Sequence, residues 1–113
     1  MSEKVKAYYE KVKKDMGKVQ TLAPDMMKGF GSLFTSVMKE GALPLKYKEL
    51  IALAMGVGSC CEPCINLHVK KCLNAGATKE EIMEAASVAV VMQGGPAYTY
   101  MPAVVDALEA NGQ

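Results

Sequence analysis

Between Ala85 and Met92 the chain is apolar on every side of a helix, and no other stretch constrains the fold as strongly. It follows Thr78 and Glu81, which have the spacing of a capping box, where each side chain bonds the other residue's backbone N–H. The box argues for helix, although the β-branched residues within Ser87 to Met92 would also suit a strand. A helix without a polar face has to be covered on all sides. A bundle of short helices from one chain does not suffice for that. A subunit interface is therefore expected here and at the Gly94-Gly95-Pro96 break that follows.

The remaining segments also read as helices. Val5, Tyr8, Tyr9, Val12, Met16 and Val19 recur at helical spacing until Leu22-Ala23-Pro24-Asp25 interrupts them. A second stripe runs from Met26 through Phe30, Leu33 and Phe34 to Met38, with Gly41 as its expected cap. Pro44 opens a third helix, Leu45 to Val57, expected to stop at Gly56 or Gly58. A fourth starts near Glu62 or Pro63 and stops at Asn74-Ala75-Gly76. A sixth runs from Tyr98 to Ala110, kinked or restarted at Pro102. The expected fold is all-α, a compact and oligomeric bundle of about six helices in one domain, residues 1–113. Tyr98 and Tyr100 read as core, and the nine methionines as flexible core filling.

A net charge of +1 with 22% charged residues leaves no bias toward nucleic acid or a membrane surface. The lysines from Lys4 to Lys18 alternate with acids and read as a solvated helix face. No apolar run reaches the ~18 residues of a membrane span, and the N-terminus lacks the apolar core of a signal peptide. The expected location is the cytoplasm, where cysteines stay reduced. There a C-x-x-C pair points to redox or metal chemistry rather than to a structural staple.

Such a pair is present at Cys61 and Cys64, and the only histidine, His68, lies four residues further on. On a helix, Cys64 and His68 are neighbours on one face. A thiolate is favoured in a helix's first turn and beside an imidazole. Cys61 is placed to close a disulfide once Cys64 has reacted. His68 also sits on an apolar face with Ile65, Val69 and Cys72, where a histidine can serve packing alone. Zinc is the competing chemistry. Cys61 and Cys72 would stand about 16 Å apart along one helix, too far to share a tetrahedral ion. A three-ligand site completed by Cys60 or by a neighbouring subunit stays open. Cys72 reads as a small buried hydrophobe, and Cys60 has no role beyond that of an alternative thiol. A thioredoxin-type reading lacks the strands it needs.

Upstream, Lys48-Glu49-Leu50-Ile51-Ala52-Leu53 places Glu49 eleven residues before Cys61-Glu62-Pro63-Cys64-Ile65-Asn66-Leu67-His68. With the later Gly76 to Ile82 segment, this resembles the alkyl hydroperoxidase D-like group of the carboxymuconolactone decarboxylase superfamily, over about Pro44 to Leu108. The resemblance implies a trimeric or hexameric all-α protein in which Glu49 and His68 relay protons to the Cys61–Cys64 dithiol. It implies a hydroperoxide or disulfide substrate, and an external dithiol or a lipoylated protein as reductant. It implies no cofactor and no resident metal. Members of the group often carry a second histidine between the cysteines; Pro63 stands there, which leaves a shorter relay. The true lactone decarboxylases lack the dithiol. Taken alone, Glu49 could be a solvated charge, but small residues at Ala52 and Gly56 would let another helix approach its side. The expected function is a thiol-dependent peroxidase. The alternatives are a disulfide reductase with little peroxidase activity and a non-catalytic zinc-binding oligomer.

Overall fold

The computed structural model describes residues 2–113; Met1, counted in the expected domain, lies outside them. The fold is all-α, and no strand occurs among the described residues. In chain order the elements are α1 (Ser2–Leu22), α2 (Pro24–Val37), α3 (Leu45–Gly58), α4 (Glu62–Asn74), α5 (Lys79–Gln93), α6 (Gly95–Tyr98) and α7 (Met101–Ala110). Six of these are full helices, and α6 is a single turn of four residues.

The capping box forms as the spacing predicts. Glu81 N–H donates to Thr78 Oγ1 at 3.1 Å, and Thr78 N–H donates to Glu81 Oε1 at 2.9 Å. Lys46 Nζ reaches Glu81 Oε2 at 3.1 Å, tying α3 to the start of α5. The Thr78 backbone N–H, and then Lys46, hold the Glu81 carboxyl below its ordinary range.

Helix ends differ from the expected ones in two places, after α2 and before α7. Gly41 does not cap α2, which closes at Met38 through a 2.8 Å bond to Phe34 O. Lys48 Nζ meets the backbone carbonyls there, donating to Val37 O and Lys39 O at 2.9 and 2.8 Å. A cation suits the negative end of a helix dipole. Of the two expected stops for α3, Gly58 is its last residue, whereas Gly56 lies inside the helix. Other elements pack against both: a Cβ on Gly56 would lie 3.0 Å from Cys64 Cβ, and one on Gly58 would lie 3.3 Å from Gln93 Cγ. After the break at Gly94 (φ 71°), the chain makes the α6 turn before α7 restarts at Met101, with Pro102 in its first turn.

The core is centred on α3 and α4. Leu53, Val57, Ile65 and Val69 are fully buried there, with Ile82 and Ala86 from α5 and Val104 from α7 closing over them. Tyr9 pins three helices together: its hydroxyl donates to Asn66 O at 2.5 Å and accepts from Asn111 Nδ2 at 3.0 Å. By contrast, α2 contributes no buried residue, and Met26, Phe30, Leu33 and Val37 face outward. On α5, Val88, Val91 and Met92 are also exposed within the chain. The core assignment fails for Tyr98, which is 67% exposed on the short α6 turn. It fails as well for Met16, Met26, Met55 and Met92, all exposed, whereas Met83 and Met101 do pack against the core.

Candidate functional site

The site is built where α3 hands over to α4. Cys60 N–H bonds Val57 O and Cys61 N–H bonds Gly56 O, each at 3.0 Å. This is the paired bonding of a Schellman ending, which needs one residue in the left-handed region. Cys60 fills that place with φ 55°, where glycine is usual and another residue costs about 1–2 kcal/mol. Its Sγ turns to Pro96 O at 3.5 Å. Cys60 therefore has a structural place, the last residue of one helix ending, rather than only that of a spare thiol. No glycine marks the position, so the sequence carries no signal for it.

The next residue, Cys61, is the N-cap of α4, and its sulfur accepts the Cys64 N–H at 3.3 Å. Cys61 and Cys64 are joined as a disulfide with their Cα atoms 5.3 Å apart. Cys64 keeps its expected place in the first turn of α4. Cys61, as the N-cap, receives a backbone N–H of that turn. The histidine belongs to Cys64, which shares with His68 a shallow groove of about 280 Å³ completed by Ala52, Met55, Gly56 and Ser59.

Glu49 lies on the α3 face that meets α4, 4% exposed, so the solvated reading of this residue is overturned. The contact exists because Gly56 lets the Cys64 backbone come close. The Nδ1–H of His68 donates to Glu49 Oε1 at 2.7 Å. A carboxylate can only accept, so Nε2 is left as the nitrogen with a free lone pair. A hydrogen bond to a buried charged acceptor is worth about 1.5–3 kcal/mol. On its face the imidazole meets the ring of Phe34 from α2, with centroids 6.3 Å apart and planes 25° from parallel. Lys71 Nζ lies 4.1 Å from the Phe34 centroid. Sequence reasoning named Phe34 only as part of an apolar stripe.

Cys72 is fully buried one turn beyond His68. Burial, and then the Glu49 charge, push its thiol up from 9.0 to about 12, which suits the small hydrophobe expected from the sequence. Among the described residues no three His, Cys, Asp or Glu side chains are grouped so as to hold a metal ion. No described helix is long and apolar enough to cross a membrane.

Comparison with known proteins adds a family context. The pattern defining the carboxymuconolactone decarboxylase family matches residues 24–110. An uncharacterized protein of Cupriavidus necator is 30% identical over 113 residues, spanning 97% of this chain and 100% of that protein. An uncharacterized protein of the cox locus of Paracoccus denitrificans is 38% identical over 85 residues, 75% of this chain and 77% of its own. The crystal structure of a carboxymuconolactone decarboxylase family protein from Legionella pneumophila is similar with a TM-score of 0.85 at 37% identity, covering 96% of this chain and 94% of that one. A family member from Thermotoga maritima, for which involvement in an antioxidative response is suggested, gives 0.69 at 35% identity over 74% of this chain and 86% of its own.

Proposed function

The chain belongs to the carboxymuconolactone decarboxylase family, and from that premise we propose that it is a thiol-dependent peroxidase acting through the Cys61–Cys64 dithiol. One observation carries the reading: a bonded cysteine pair stands at a helix entry, and a Glu49–His68 hydrogen bond of 2.7 Å stands one turn further on.

In the reduced protein, His68 Nε2 takes the proton of the Cys64 thiol while Glu49 steadies the imidazolium through Nδ1–H. The Cys64 thiolate attacks the outer oxygen of a hydroperoxide. The S–O bond forms, the O–O bond breaks, and the leaving alkoxide takes the proton from His68 to depart as an alcohol. Cys64 is now a sulfenic acid. The Cys61 thiol displaces its oxygen as water and the disulfide closes. An external dithiol, free or carried on a lipoylated protein, then attacks Cys64 from the groove to form a mixed disulfide, from which its second thiol releases Cys64 as the external disulfide closes. Cys61 leaves as a thiolate at the helix N-cap, where the Cys64 N–H meets it. A sulfur leaves faster the better its anion is held. The outward apolar residues of α2 and α5 support assembly as a homotrimer or homohexamer. The lack of a charge bias and the redox chemistry support a cytoplasmic location.

The test is sulfenic acid trapping after peroxide treatment of single cysteine variants. Label at Cys64 in the Cys61→Ser protein, with none at Cys61 in the Cys64→Ser protein, is expected. The opposite pattern reverses the roles. If peroxide oxidises the wild-type dithiol no faster than a free thiol while a model disulfide is reduced readily, the protein is a disulfide reductase instead. Stoichiometric zinc in protein purified without added metal, released by a thiol reagent, would replace both readings with a metal-binding one.

A further inference from the structure

We infer that Phe34 is a positioning residue for His68, holding the imidazole so that its free nitrogen serves Cys64. The inference rests on the proposed role of His68 as the base. One hydrogen bond fixes the Nδ1 atom of His68 at Glu49 but leaves the ring plane free to swing about that point. A second contact on the ring face removes this freedom, and Phe34 supplies it at 6.3 Å and 25°. That separation is within the offset-stacked range of aromatic pairs.

The placement of α2 supports the assignment. This helix buries no residue in the core, so Phe34 is not needed there to fill space. Its inward side, Met27, Phe34 and Met38, is only half-buried, while Phe30 one turn before Phe34 faces outward. Lys48 holds the C-terminal end of α2 through Val37 O and Lys39 O, and Lys48 is the chain neighbour of Glu49. Two consecutive residues of α3 thus fix the two objects that grip the imidazole. Lys48 fixes the helix that carries Phe34, and Glu49 binds the ring itself. Lys71, over the Phe34 ring, restrains that ring from α4.

His68 is the only histidine, so its imidazole nitrogen and carbon-bound proton signals are unambiguous in a magnetic resonance spectrum of the full-length reduced protein. The wild type is expected to show the Nδ1–H tautomer and ring protons displaced by the Phe34 ring current. Phe34→Leu is expected to lose that displacement, while Glu49 keeps the Nδ1–H tautomer. In a Cys61→Ser background, it should slow alkylation of Cys64 roughly tenfold, short of the ~100-fold that loss of a general base brings. Phe34→Tyr should restore displacement and rate. Met26→Ala, which alters the outward side of α2 away from the Phe34 ring, should leave both unchanged. The inference is overturned if Phe34→Leu keeps the wild-type alkylation rate, or if Met26→Ala slows it as much. If the alkylation rate responds as expected but peroxide leaves the wild-type dithiol untouched, the positioning role stands and the peroxidase reading falls.

Discussion

Replacing Gly56 with alanine sets two known effects against each other at the centre of the site. Within a helix, Gly→Ala alone stabilises by about 1 kcal/mol. At Gly56 the new Cβ would lie 3.0 Å from Cys64 Cβ, at least 0.4 Å short of ordinary contact, and 3.6 Å from both Cys64 C and Ile65 N. None of these atoms can turn aside by changing a rotamer, because a Cβ is fixed by its own backbone. The helices α3 and α4 have to part instead, and overpacking of this kind costs about 1–3 kcal/mol. The net expectation is a loss of about 1 kcal/mol, or a fall in Tm of about 4 °C for a chain this size. Parting by that amount also stretches the 2.7 Å His68–Glu49 bond to roughly 3.1 Å, beyond the ~2.7–2.9 Å of a charge-assisted bond. Cys64 alkylation in the reduced protein should slow with it. Gly17→Ala on α1 is the internal comparison, since nothing lies within 4 Å of a Cβ there. It should raise Tm by about 4 °C, helix propensity acting alone. A Gly56→Ala protein that melts higher than wild type, with unchanged thiol reactivity, refutes the close-approach argument.

Three further outcomes follow from the same geometry. Glu49→Gln keeps the shape but removes the charge that steadies imidazolium, and should lower the rate of dithiol oxidation by peroxide about 10- to 100-fold, as read by stopped-flow or thiol titration. Cys72 should resist alkylation in the native protein, because its thiol is pushed up to about 12 by burial. Above pH 9 an unfolded chain loses that proton while the folded one keeps it, so stability present below pH 9 declines toward pH 12. Cys72→Ala should remove this part of the alkaline slope in denaturant titrations, whatever it costs in packing. Finally, Cys60→Gly relieves the left-handed strain at φ 55° and should raise stability by up to about 1 kcal/mol in thermal melts, with the Cys61–Cys64 couple retained.

What could be read from the sequence was what is decided locally. Helical stripes and the Thr78–Glu81 box depend on residues within a turn or two, and they appear where the spacing put them. The pairing of Glu49 with the dithiol helix is anticipated by the motif spacing that carries the resemblance, and by Ala52 and Gly56, small enough to admit a neighbour. Other features depend on contacts between distant segments. Whether Gly56 ends a helix or receives one is decided by α4 packing onto it. The ending at Cys60 uses a residue type that seldom takes a left-handed turn, so composition points elsewhere. Phe34 looks like any member of its stripe until α2 lies across His68. The exposure of Tyr98 follows from the α6 turn, which Gly94 and Gly95 permit but do not announce.

Cys61 closes the ending of α3 with its N–H and opens α4 with its side chain, so no residue between the two helices is spare. The junction works as a fixed gear rather than a hinge. One residue added or removed between Gly56 and Cys64 would turn α4 by about 100° and carry His68 away from Glu49. The stretch from Gly56 to Cys64 therefore does not tolerate a change of length. The connector between α2 and α3, residues 38–44, is tied by side chains instead: Lys48 Nζ holds Val37 O and Lys39 O, and Leu45 N–H donates to Glu40 Oε1 at 3.1 Å.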